Sequence, residues 1–209
     1  MNQNKGLDYS YYLNVLLVGD SKVGKSSIFN RITKNSKYEW NDTFDPTIGV
    51  DFFPYYGNFA DTNVKVVVWD LSGNERFLHV TQTYFSGAHG IMYIYDITDM
   101  TSFQNIEKWG ELQKRKCYGN VKRVLVGNKC ELDKERIVSF DEGKEKADKL
   151  GMQFFEVSAK MQIGIKKAFA SLVQDIVEEM KNETKHEKQK SDKIILSPDP
   201  SIQPNSRCF

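Results

Sequence analysis

The chain has 209 residues, enough for one domain with a full core and a tail, and its 29 Lys and Arg against 28 Asp and Glu leave a formal charge of +1. That balance excludes the bulk basic excess of a nucleic-acid binder, so any charged ligand must be held locally. No apolar run approaches the roughly 18 residues that span a bilayer, and the three cysteines, Cys117, Cys130 and Cys208, lack the spacing of a disulfide framework or a zinc site.

Residues 1–11 contain no hydrophobic signal core, and Asn2 stands where myristoylation requires glycine, so a flexible N-terminus on a soluble, cytoplasmic chain is expected. Short apolar runs then alternate with longer amphipathic stretches. They predict strands at Leu13–Val18, Val50–Tyr56, Val64–Trp69, Gly90–Tyr95, Arg123–Val126 and Phe154–Val157, with helices between them. The second run carries Pro54, which cannot serve a ladder on both sides, and the turn-rich segment Asn58–Asn63 joins it to the third. The expected fold is therefore an α/β three-layer sandwich: a six-stranded, mostly parallel sheet with one antiparallel edge strand and helices on both faces. In the last helix Ile165, Phe169, Leu172, Val173, Ile176, Val177 and Met180 recur at spacings of three and four, which marks a core stripe. Residues 181–209 are rich in charge and Ser and hold three of the five prolines, and are expected to be a disordered tail.

Three motifs carry chemistry. Gly19-Asp20-Ser21-Lys22-Val23-Gly24-Lys25-Ser26 follows the first strand and opens a helix, the context of a phosphate-binding P-loop. Its glycines let successive N–H groups point inward, the helix start adds positive potential, Lys25 can reach the outer phosphates, and Ser26 can ligate Mg²⁺. Asp70, ending the third strand in Trp69-Asp70-Leu71-Ser72-Gly73, can hold the same cation, while Gly73 allows a backbone N–H near a terminal phosphate. Asn128-Lys129-Cys130-Glu131 and Ser158-Ala159-Lys160 lie at the ends of later strands, where open α/β sheets bind ligands. A carboxylate there can accept from N1–H and the exocyclic amine of guanine, a pattern adenine lacks.

With these motifs the chain resembles a Ras-superfamily small GTPase, and most of all the Rab branch, across residues 12–180. Ile48-Gly49-Val50-Asp51-Phe52, Asn74-Glu75-Arg76-Phe77, Tyr84-Phe85-Ser86-Gly87-Ala88 and Tyr95-Asp96-Ile97-Thr98 are similar to segments that set Rabs apart. The resemblance implies a P-loop NTPase fold and a GTP/GDP switch of vesicle traffic that uses Mg²⁺. Its two mobile loops would be read by exchange factor, GTPase-activating protein and effectors. It implies phosphate binding by Lys25 and the backbone of Ser21, Lys22, Val23, Gly24, Ser26 and Ser27, and metal ligation by Ser26, Thr47 and Asp70. Gly73 would sense the γ-phosphate, and Asn128, Lys129, Glu131, Ser158, Ala159 and Lys160 would surround the base. Ile48, Phe52, Trp69 and Tyr84 would face effectors, although strand aromatics also serve as core.

The sequence departs from the family at several positions. Asn74 replaces the glutamine that orients the attacking water; with one methylene fewer, its amide sits about 1 to 1.5 Å short, which implies slow hydrolysis by Asn74, Lys25 and Thr47. An alternative is a nucleotide-bound interaction module without useful turnover. Glu131 replaces aspartate, so guanine preference is either retained but weaker or lost. Lys22 either adds a phosphate contact or points to solvent. The stretch from Ser26 to Thr47 is longer than usual, so either Tyr38 or Trp40 can flank the base, with Tyr38 taken first. The chain ends Ser206-Arg207-Cys208-Phe209, neither a paired-cysteine motif nor a C-a-a-X box. Ile194 and Leu196 resemble the aliphatic pair that docks Rab tails on the escort protein and the dissociation inhibitor. That favours prenylation of Cys208 over an unmodified tail, with reversible association to the cytosolic face of an endomembrane, since one lipid chain binds only marginally.

Overall fold

A computed structural model describes residues 8–34, 40, 46–117 and 119–195, with 186–195 as backbone alone. Among these residues six strands run in chain order: β1 (Tyr11–Val18), β2 (Val50–Phe59), β3 (Thr62–Leu71), β4 (Gly90–Asp96), β5 (Lys122–Asn128) and β6 (Gln153–Glu156). Their order across the sheet is β2-β3-β1-β4-β5-β6. Every pairing is parallel except β2 with β3, so the antiparallel strand is the edge strand that carries Pro54, opposite Val67. The six expected strands are present, and several reach further than their apolar runs because flanking polar residues such as Asp96 and Asn128 still pair in register.

The helices are α1 (Lys25–Thr33), α2 (Leu78–Thr81), α3 (Met100–Gln104), α4 (Ile106–Lys116), α5 (Phe140–Leu150) and α6 (Ile165–Ile195). Alternation along β1 explains the layers. Leu13, Val15 and Leu17 face one side and pack with Ile28, Phe29, Phe169, Leu172 and Val173 of α1 and α6. Leu16 and Val18 face the other, with Tyr93, Tyr95, Ile106 and Ala147 beside α4 and α5. The stripe of α6 is core, as its spacing predicts: Ile165, Phe169, Leu172, Val173, Ile176 and Val177 are all buried.

Two boundaries differ from those the sequence predicts. Tyr11 already belongs to β1, Ser10 N donates to Asn63 O at 2.9 Å, and the Tyr9 ring lies under the Lys65 ammonium, so order begins before residue 12. At the other end α6 continues beyond Met180 to Ile195 instead of giving way to irregular chain at 181. The added residues are mostly Lys, Glu, Gln and Asn with no Gly or Pro, so nothing breaks the helix although its apolar stripe has ended. Lys181 Nζ also donates to Ala60 O, which fastens the extension to the β2–β3 turn. No helix among the described residues is long and apolar enough to cross a membrane.

That turn has two residues, Ala60 (φ 46) and Asp61 (φ 56), both left-handed. This is the twist a tight hairpin needs, yet neither is the Asn-Gly that adopts it cheaply. Replacing Ala60→Asn together with Asp61→Gly is expected to stabilise the fold by about 1 kcal/mol in urea unfolding, with no loss of ligand binding.

Candidate functional site

The carboxyl ends of β1, β3, β4, β5 and β6 share one rim of the sheet, and β1 is the switch point, with β3 on one side and β4 on the other. There Gly19 (φ 151) turns the chain against Ile94, whose carbonyl oxygen would lie 2.1 Å from any Cβ added to Gly19. Gly24 (φ 93) starts α1. The phosphate loop thus sits at the crevice that such sheets use for ligands. A cavity of about 480 Å³ opens above it, lined among others by Lys25, Thr47, Gly73, Glu131 and Lys160.

At the loop end, buried Lys25 donates from Nζ to Gly19 O at 2.9 Å and to Asp20 O at 2.7 Å. Burial pulls its pKa down to about 8, against the opposing attraction of Asp70 and Asp20. Ser26 Oγ and Thr47 Oγ1 share a hydrogen bond at 2.8 Å, and Thr47 Oγ1 donates to Asp70 Oδ2 at 3.3 Å. The three residues expected at the metal therefore meet. Asp70 is buried, and burial raises its carboxyl pKa despite hydrogen bonding by Ser26 and the nearby Lys25 charge. Its Oδ1 is buried without a hydrogen-bond partner. An unsatisfied carboxylate oxygen beside two hydroxyls is a hard-oxygen set of the kind Mg²⁺ prefers.

Gly73 abuts the phosphate loop so closely that a Cβ there would lie 2.4 Å from Asp20 C. Asn74 follows it and lines the cavity, but its side chain is engaged locally. Oδ1 accepts from Arg76 N at 3.0 Å, which caps the short 3-10 turn Glu75–Phe77. Lys22 lines the cavity mouth, is exposed, and adopts φ 70.

At the far end buried Asn128 donates from Nδ2 to Val23 O at 2.8 Å and accepts at Oδ1 from Ala159 N at 3.1 Å. Lys129 is anchored by Asp96 Oδ2 at 2.5 Å. Glu131 lines the cavity, and its Oε2 is a second buried carboxylate oxygen without a partner. Asp133 is exposed and accepts from Arg136 Nε at 2.8 Å, so it does not take the place of Glu131. Ala159 and Lys160 reach the cavity. Val23 and Ser158 are buried and shape the loops: Val23 through its carbonyl, Ser158 by accepting from Met161 N at 2.9 Å. Ser27 also lines the cavity.

Phe52 packs at a tilt against Trp69 with centroids 5.0 Å apart, and Trp69 against Tyr84 at 4.9 Å. Phe52 and Ile48 are 57% and 83% exposed, whereas Trp69 and Tyr84 are half-buried. Trp69 Nε1 donates to Asn14 Oδ1 at 3.0 Å, fixing the middle ring. Tyr38 and Cys208 lie outside the described residues. Among the described residues the aromatic that lines the cavity is Trp40, with Lys160 Nζ 5.8 Å from its ring centroid. Sequence reasoning misses Arg31, a buried cation of α1 that donates to Ala159 O at 2.8 Å and Lys160 O at 3.1 Å. A lone arginine in a helix carries no signal of that role.

Compared with known proteins, residues 14–178 match the model of the Ras family. The chain is 37% identical over 201 residues to the Ras-related protein RIC1 of Oryza sativa subsp. japonica, covering 96% of this chain and 98% of that one. It is 39% identical over 173 residues to the Ras-related protein Rab-3 of Caenorhabditis elegans, with 83% and 78% covered. Against the GTP-binding protein ypt2 of Schizosaccharomyces pombe identity is 39% over 168 residues, with 80% and 82% covered.

The depressed Lys25 pKa has a measurable consequence in the empty chain. Between about 8 and the ordinary 10.5 the unfolded state binds a proton that the folded state has released, so stability rises with pH through that window. The gain should be on the order of 3 kcal/mol in urea unfolding with chelator present, and Lys25→Met should abolish it.

Proposed function

The chain belongs to the Ras family as a Rab-like small GTPase that hydrolyses GTP to GDP and phosphate, and we propose that it is a slow GTP/GDP switch of vesicle traffic. One observation carries the nucleotide reading: a buried carboxylate oxygen is left unpartnered at each end of one site, Asp70 Oδ1 behind the cavity-lining Thr47 to which that carboxylate is bonded, and Glu131 Oε2 on a residue of the cavity wall that Lys25 also lines. An unpaired buried acceptor is costly, and beside an open cavity a ligand group can complete it. At Asp70 that group is Mg²⁺, held with Ser26 and Thr47, which would neutralise phosphate charge. At Glu131 it is the N1–H and amine edge of guanine.

Inward backbone N–H groups of residues 21–27 and the start of α1 hold the phosphates, and Lys25, oriented by its two carbonyl partners, reaches the phosphate oxygens with its remaining N–H. Of Tyr38, the first candidate for the base-flanking place, and Trp40, we take Trp40, which lies next to Lys160; Tyr38 is outside the described residues. Slow turnover follows from Asn74. Its amide is short, and its oxygen is already committed to Arg76 N, a bond worth about 1 kcal/mol that must break before it can orient water. An activating protein that brings its own glutamine and arginine would restore turnover. Exchange factor, activator and effectors would act at the switch segments, with Ile48, Phe52, Trp69 and Tyr84 as the effector face.

For membrane attachment we take prenylation of Cys208, assisted by an escort protein and a dissociation inhibitor that grip Ile194 and Leu196, with reversible residence on the cytosolic face of an endomembrane. Mass spectrometry of the native C-terminus decides this part; an unmodified Cys208 overturns it.

Single-turnover hydrolysis of bound GTP tests the switch. Asn74→Gln is expected to speed it by up to about a hundredfold, and an unchanged rate would remove Asn74 as the cause of slow turnover. Competition among GTP, xanthosine triphosphate and ATP tests the base pocket: GTP should win, and Glu131→Gln should weaken it at least about tenfold.

A further inference from the structure

Asp20 poses a problem of charge, because it places a carboxylate inside a loop built to hold a polyanion. Its backbone carbonyl accepts from Lys25 Nζ at 2.7 Å, so the residue belongs to the loop's working structure. Its side chain turns the other way. Asp20 borders a second cavity, of about 870 Å³, between the phosphate loop, residues 73–78 and α4. There Oδ2 accepts from Asn105 Nδ2 at 2.6 Å and Oδ1 from Trp109 Nε1 at 2.8 Å. Asn105 joins α3 to α4, and Trp109 follows one turn later, so both donors fall on one face. Each carboxylate oxygen is thus satisfied by a neutral donor.

We propose, on the basis of the nucleotide reading above, that Asn105 and Trp109 are positioning residues for nucleotide retention. They hold the Asp20 carboxylate out of the phosphate site and fix the Gly19 and Asp20 carbonyls that orient Lys25. Freed from these donors, the carboxylate swings towards Lys25 and the phosphates, where it repels the ligand and competes for the ammonium. The restraint matters only because residue 20 is charged. An amide in its place has nothing to repel.

A double-mutant cycle separates this from ordinary packing. The readout is release of N-methylanthraniloyl-GDP from the full chain into excess GDP, for wild type, Trp109→Phe, Asp20→Asn and the pair. Trp109→Phe keeps a ring and loses only the N–H and part of its area; release should quicken about tenfold, the factor for a hydrogen bond to a charged group. In the Asp20→Asn background the same change should matter by less than about twofold. An equal factor in both backgrounds, or none in either, overturns the proposal while leaving the nucleotide reading intact. A wild-type chain that takes up no labelled GDP overturns both. Should Trp109→Phe fail to fold, Asn105→Ala runs the same cycle: faster release only where residue 20 is aspartate supports the proposal, and an equal or absent effect in the two backgrounds overturns it.

Discussion

The carboxamide of Asn128 donates to the carbonyl of Val23 and accepts from the amide of Ala159, so segments from the ends of three strands, β1, β5 and β6, are pinned to one buried side chain. An amide serves because one side chain must both donate and accept. Gly24 approaches so near that a Cβ there would lie 2.3 Å from Asn128 Nδ2, so the close fit depends on glycine at position 24. Cys130 N adds a bond to Val157 O at 3.1 Å, and Arg31 holds the carbonyls of Ala159 and Lys160 from below. The phosphate loop and the loops that follow β5 and β6 are therefore tied to one another, and a ligand that spans the cavity meets a preformed frame.

Within that frame several charged groups are left incompletely paired. Lys25 is buried with its ammonium hydrogen-bonded to carbonyls, Asp70 keeps one oxygen unpaired, and Glu131 keeps another. Each is a destabilising element in the empty chain, and each would, in the function proposed above, be relieved by a complementary group on the nucleotide or its cation. Binding energy and folding energy are thus coupled, so that the loaded chain is more stable than the empty one by the occupancy of the site.

Most of the fold is legible in the sequence because its signals are local. The apolar runs mark the strands, and Pro54 marks the edge. The phosphate loop can be read because strand, glycines and helix start adjoin along the chain. What escapes are effects carried by distance or by the absence of a pattern. Arg31 reaches Ala159 across the fold, and nothing in KSSIFNRIT announces a buried cation. Asp20 looks like one more loop residue unless α4 is placed beside it. The extension of α6 escapes a test of periodicity, because these residues hold helical backbone through propensity and one lysine at the hairpin. The shortness of Asn74 is visible in the sequence, whereas its engagement with Arg76 is a local turn that a single-letter comparison does not reveal.

Strand β2 has one further consequence. It is one of the two outermost strands, it carries the run Phe52-Phe53-Pro54-Tyr55-Tyr56, and Phe52, Phe53 and Tyr56 are 57%, 44% and 43% exposed. Such an edge, aromatic and open, is a template on which a second chain could extend the sheet without limit. Pro54 interrupts it at the centre, because its nitrogen has no hydrogen to offer a newcomer and its ring obstructs a straight ladder. The proline that marks the edge in the sequence thus also works against addition of a second copy at this strand, where those aromatic side chains stand uncovered.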